Sequence, residues 1–214
     1  MICGLPVPGP KESFTTRKVT TQEVPLWYHV YCTESHLSTK ADTFSQGWGD
    51  TRFAPIMRAD GTPYHTYYMA SSTECAYMES VLHDVSLAPP GVFEVARLRH
   101  FHLATLTLKY EIHAVSLHTK DLPRLGLKRC QLIDSLPACY PETRAWAQAA
   151  FVQRPTAQAL AYGSRRDDSA RCLMLAKDAR AAAAFEVVAD ESLALEPRRA
   201  EVLALIRSLK ICEI

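Results

Sequence analysis

Apolar and polar positions along this chain change period several times, and each change predicts an element. VPLWYHVY at 24–31 and YHTYYMA at 64–70 are rich in aromatic and β-branched residues and predict two strands. The phrase GWGDTRFAPIMRADGTP between them carries the glycines and prolines of a loop with turns. After the second strand, Ser71, Ser72 and Thr73 each offer a capping oxygen, and Glu74 suits a helix N-terminus. VFEVARLRHFHLATLTL alternates and predicts strands at 92–98 and 102–108. PETRAWAQAAFV predicts a helix over 141–152, with Pro141 at its start and Trp146, Ala149 and Ala150 inward. A strand at 172–176, an alanine-rich helix at 177–184, the strand FEVVA and a helix from Pro197 to Leu209 complete the pattern. Helices and strands mix without a βαβ rhythm, which predicts an α+β fold with a mainly antiparallel sheet.

The helix after residue 72 poses the chemical question. On a helical wheel Cys75, Ala76, Met78 and Leu82 share one apolar arc, with Ser80 and Asp84 opposite. Glu79 falls in the middle of that arc, and His83 lies one turn further on. An inward carboxylate costs several kcal/mol unless something pairs with it. Glu79 is therefore the first candidate for a pocket-facing functional group, with His83 as its neighbour.

Composition narrows the setting. The chain has 214 residues, 48% hydrophobic, enough for one sizeable core, and no linker divides it. A net charge of +1 carries no basic excess for nucleic acid and no charge block for a membrane surface. No apolar run reaches the roughly 18 residues of a membrane span. The first residues, MICGLPVPGPKESFTTRK, have prolines where a secretory signal needs an apolar stretch. The expectation is a flexible N-terminal extension over 1–24, a domain over 25–214 and a cytoplasmic protein. Seven scattered cysteines show neither a CxxC pair nor metal-ligand spacing, so free thiols and no metal are expected.

Two more stretches carry candidate chemistry. In GWGDTRFAPI, Arg52 sits between a glycine-rich loop and an apolar phrase, so its backbone is anchored while its guanidinium reaches elsewhere. Such a fork matches phosphate or carboxylate. Alternation sends Tyr67 and Tyr68 to opposite faces of their strand, so one of the two shares a face with a pocket. In AYGSRRDD, Gly163 allows a tight turn that presents Ser164, without the second glycine of a hydrolase elbow. No P-loop, GxGxxG or HExxH occurs.

Taken in order, RFAPI, DGTP, YYMAS, ECAYMESVLHDV and YGSRRDDSARCLMLAKD resemble the RES domain family, most strongly over 26–178. That family is the toxin of RES–Xre toxin–antitoxin pairs and is named for an arginine, a glutamate and a serine, which match Arg52, Glu79 and Ser164 here. Its pocket tyrosine matches Tyr68 in YYMA, with Tyr64 and Arg58 as alternates for the tyrosine and the arginine. The resemblance implies a single domain of ADP-ribosyltransferase-like fold, a mainly antiparallel mixed sheet flanked by helices. It implies cleavage of the nicotinamide–ribose bond of NAD, with NAD as substrate and no other cofactor, arresting growth. On that resemblance Glu79 would hold the ribose hydroxyls and oppose the developing cation, and Arg52 would bind the pyrophosphate or orient Glu79. Tyr68 would stack on or hydrogen-bond the nicotinamide ribose, Ser164 would position the leaving amide or a ribose hydroxyl, and His83 would support the site. The acceptor can be water, phosphate or a protein side chain, so glycohydrolase, phosphorylase and ADP-ribosyltransferase all remain open. The implied partner is an Xre-type helix-turn-helix antitoxin, in a homodimer or hetero-oligomer, with no nucleic acid bound directly. A non-enzymatic interaction module on the same fold is the alternative of another class.

Overall fold

In the computed structural model, residues 4–34, 38–58, 60–176 and 183–214 are described. Eight strands form one sheet: β1 (Thr15–Val19), β2 (Trp27–Cys32), β3 (Tyr67–Ala70), β5 (Phe101–Leu108), β6 (Ile112–Ser116), β7 (Ala159–Gly163), β8 (Arg171–Leu175) and β9 (Phe185–Ser192). Their order across the sheet is β1-β6-β7-β8-β3-β2-β5-β9, and every neighbouring pair is antiparallel except β6 with β7. Two short strands, β4 (Val92–Phe93) and β10 (Cys212–Glu213), pair separately. The helices are α1 (Thr73–Met78), α2 (Arg129–Leu132), α3 (Tyr140–Gln153) and α4 (Arg198–Ser208). The fold is α+β, a mixed, mainly antiparallel sheet with flanking helices in a single domain, as the pattern predicts.

Both faces of the sheet are covered at its centre. On one, Leu160 and Tyr162 of β7 and Cys172 and Met174 of β8 pack with Trp146 of α3, Ile206 of α4 and Leu82 from the turn after α1. On the other, Ala159, Ala161, Leu173 and Leu175 pack with Trp27, Tyr67 and Phe185. Burial on both faces explains why ALAYG and CLML read as continuous apolar runs. Among the described residues no helix is long and apolar enough to cross a membrane.

Several expectations need correcting. The N-terminal lead-in contributes β1, paired with β6 from Thr15↔Ser116 to Val19↔Ile112, and buries Phe14 against Trp146. β1 does not stand out in the sequence, because it is an edge strand with polar residues on its open face. The strand expected at 92–98 is only two residues long; Val95–His100 is a 3-10 turn whose Leu98 is buried. The strand expected at 64–70 starts at Tyr67, and Tyr64 lies in a loop with its amide on the Ile56 carbonyl. Cys139 is disulfide-bonded, against the expectation of free thiols, whereas Cys32, Cys75, Cys130, Cys172 and Cys212 are free. The alanine-rich helix expected at 177–184 lies mostly outside the described residues.

The largest correction concerns α1. Ser72 caps it by accepting the Cys75 amide, as predicted, but the helix stops at Met78 and Glu79 is its C-cap. The carbonyls that a longer helix would satisfy find other donors. Ser80 gives its hydroxyl to the Ala76 carbonyl, and the Arg166 guanidinium reaches the Leu82 and Val85 carbonyls at 2.9 and 2.8 Å. A helical wheel has no access to an arginine some eighty residues further along the chain.

Candidate active site

The cleft owes its existence to a fault in the sheet. β3 runs in register with β8 over four pairs, Tyr67↔Leu175 to Ala70↔Cys172, yet it meets β2 only at Tyr28↔Ala70. The strands splay from that point, and a cleft of about 620 Å³ opens beside them. Its walls include Tyr28, Arg52, Tyr68, Glu79, Tyr140 and Tyr162.

Arg52 enters the cleft from the loop before β3. Its carbonyl accepts the Thr143 hydroxyl of α3, which anchors the backbone, and its guanidinium lies 5.7 Å from the centre of the Tyr140 ring. Arg52 is buried, but Nε and Nη2 have no hydrogen-bond partner among the described residues. Buried charged donors left unpaired cost several kcal/mol. The arrangement suits an anionic or strongly accepting ligand.

Glu79 faces the same space from the end of α1 and is held from behind by the turn after β7. Its Oε1 accepts the Ser164 hydroxyl, the Arg165 amide at 2.9 Å and the Arg166 amide at 3.3 Å. Oε2 takes no hydrogen bond among the described residues. The carboxylate is therefore fixed by one oxygen and leaves the other available. Ser164 has no solvent exposure, and its Oγ also accepts the Arg166 and Asp167 amides, both at 2.9 Å. That hydroxyl is fully used, so Ser164 stands behind Glu79 and does not line the cleft, contrary to the expectation that it touches a leaving amide or ribose hydroxyl.

Tyr68 lines the cleft while Tyr67 turns to the opposite core, as alternation predicts. Burial pushes the Tyr68 phenol above its usual range, and Thr51 Oγ1 holds its hydroxyl at 2.8 Å. The alternates lie elsewhere: Arg58 sits over the Tyr64 ring at 4.9 Å and donates to the Pro63 carbonyl, and neither lines the cleft. His83 reaches the cleft rim, but because α1 has ended it is bonded to Asp84 at 2.7 Å and not to Glu79.

Sequence reasoning missed Tyr28, His29, Tyr140 and Tyr162. Burial lowers the pKa of His29 to about 4, against the opposing effect of its bond to the Tyr68 carbonyl at 2.7 Å. The ring is neutral, so Nδ1 carries the proton that it donates. Tyr162 had a usable signal: it lies two residues before Ser164 and alternates with Leu160 toward the same face. Asp50, from GWGD, also lines the cleft and is tied to α3 by Arg144 at 3.0 Å.

This frame has a counterpart among solved structures. The crystal structure of the M. tuberculosis MbcT–MbcA toxin–antitoxin complex contains a chain that superposes with a TM-score of 0.56. The match covers 84% of this chain and 87% of that one at 12% sequence identity, a likeness of fold. No curated protein matches the chain. The family model of the RES domain matches residues 26–196, a span that starts beside β2 and takes in Arg52, Tyr68, Glu79 and Ser164. The chain belongs to the RES domain family.

Proposed function

We propose that this protein cleaves the nicotinamide–ribose bond of NAD and acts as the toxin of a toxin–antitoxin pair. The observation that carries the reading is that Glu79 and Arg52 stand on the walls of one cleft. The carboxylate is fixed by Oε1 alone, and the guanidinium keeps two buried donors unengaged. Loss of nicotinamide leaves positive charge on the ribose, as in glycoside cleavage. A preorganised carboxylate in a partly dry site stabilises that charge more than water does. Arg52 binds the pyrophosphate of the same substrate, a group that matches its two-pronged geometry.

Within this mechanism Tyr68 offers the face of its ring to the nicotinamide ribose, since its hydroxyl is held by Thr51. Ser164 is a positioning residue that fixes Glu79. His83 is placed at the rim with Asp84 and has no assigned step. An enzyme that consumes NAD must be restrained in the cell that makes it. The partner in this reading is a helix-turn-helix antitoxin that blocks the cleft beside the loop at 47–50.

The test is incubation of the purified protein with NAD while following free nicotinamide. That product is common to hydrolysis, phosphorolysis and ADP-ribosylation of a protein, and analysis of the ADP-ribose product then separates the three. Nicotinamide release above the spontaneous rate is the expected result. Its absence at micromolar enzyme contradicts the proposal.

A further inference from the structure

We propose that Tyr162 is the donor that holds a ribose hydroxyl against Glu79; the assignment rests on the NAD reading above and refines it. Tyr162 is 6% exposed, and what remains accessible lines the cleft. Its ring is locked edge-to-face on Phe53, with centroids 5.1 Å apart and planes at 72°. Its hydroxyl has no hydrogen-bond partner among the described residues, in contrast to Tyr68, whose hydroxyl is held by Thr51. Unlike the two buried Arg52 nitrogens, the Tyr162 hydroxyl keeps access to the cleft, where it is a donor free to meet a ligand.

The neighbours identify the ligand group. Tyr162, Glu79, Arg52, Tyr68 and Cys172 line the same cleft. Burial drives its titration well above the usual tyrosine range, so the phenol keeps its proton and remains a donor. Glu79 Oε2, when ionised, can only accept. The group that satisfies both at once must donate to a carboxylate and accept from a phenol. The pyrophosphate of NAD has no proton to donate and would be repelled by Glu79, and a carboxamide needs two separate atoms to serve both. A sugar hydroxyl does both through one oxygen. It would donate to Glu79 Oε2 and accept from Tyr162, which fixes the ribose next to the carboxylate that stabilises its cation. Tyr68 and Tyr162 thus divide the work, one presenting a ring face and the other a hydroxyl.

The experiment is a cycle between enzyme and substrate. Wild type and Tyr162→Phe are compared on NAD and on analogues lacking the 2′- or the 3′-hydroxyl of the nicotinamide ribose, following nicotinamide release. Phenylalanine keeps the ring packing on Phe53 and removes an oxygen with no bond to another described residue, so the melting temperature should hold. On NAD, kcat/KM should fall roughly 10-fold or more. On the analogue lacking the hydroxyl that Tyr162 holds, the same substitution should cost less than about 3-fold, because the two losses share one contact. An equal loss on all three substrates, or no loss on NAD, overturns the role of Tyr162 and leaves the NAD reading standing. No nicotinamide release by wild type, together with no NAD binding to Glu79→Gln, overturns both.

Discussion

Ser164 gives its hydroxyl proton to Oε1 of Glu79 from a position sealed off from solvent. The serine thereby dictates which oxygen of the carboxylate is tied down and which faces the cleft. The same Oγ accepts the Arg166 and Asp167 amides, so the turn after β7 and the end of α1 are clamped through one atom.

Ser164→Ala should therefore show two effects. The Asp167 amide loses its acceptor and the Arg166 amide keeps only its longer bond to Glu79, which costs roughly 1–3 kcal/mol and lowers the melting temperature. Glu79 loses its hydroxyl donor and is held by the two amides alone, so kcat for NAD cleavage should fall at least 10-fold while KM stays near wild type. A raised KM with unchanged kcat would mean that the serine touches substrate after all.

Arg52→Lys keeps a positive charge but loses the planar fork and the stacking on Tyr140. The expected outcome is a KM for NAD raised several-fold or more, with a smaller loss in kcat. Steady-state kinetics on the folded variant checks it. Unchanged kinetics would remove Arg52 from the binding site.

What could be read in advance followed from local rules, and what could not followed from distant contacts. The period-2 pattern separated Tyr67 from Tyr68 correctly because the two faces of β3 belong to different cores. The wheel placed Glu79 inward, which is right, on a helix too long by two turns. The termination of α1 depends on Arg166, and the fixing of Glu79 depends on the Arg165 and Arg166 amides; backbone donors leave no trace in residue identity. The order R…E…S was visible, but Ser164 reads as a ligand contact until the structure shows its hydroxyl fully engaged. β1 escaped notice because TTRKV at a sheet edge carries one buried residue in five.

His29 makes stability pH-dependent with a definite sign. Its folded pKa is about 4, below the ordinary value of 6.5, because burial disfavours the imidazolium. The unfolded chain binds the proton first as pH falls. The stabilisation is complete above about pH 6.5 and is lost progressively between there and pH 4, by on the order of 2–3 kcal/mol. His118, also lowered to about 4 by burial and by Arg17 and Arg171, acts in the same direction. His29→Asn can still donate to the Tyr68 carbonyl but does not titrate. Melting curves at pH 7 and pH 5 should show a smaller difference for this variant than for wild type. An identical pH dependence would show that His29 is not held neutral.

The central claim is that Glu79 supplies the negative charge against which the ribose cation forms. Glu79→Gln keeps the shape and can still accept from Ser164 and the two amides at Oε1. The most direct measurement is the single-turnover rate of nicotinamide release from saturating NAD by wild type and Glu79→Gln, at matched concentration and with melting temperatures recorded. The account predicts a folded variant that still binds NAD and releases nicotinamide roughly 10²-fold more slowly or worse. A folded Glu79→Gln protein that releases nicotinamide at the wild-type rate would contradict it.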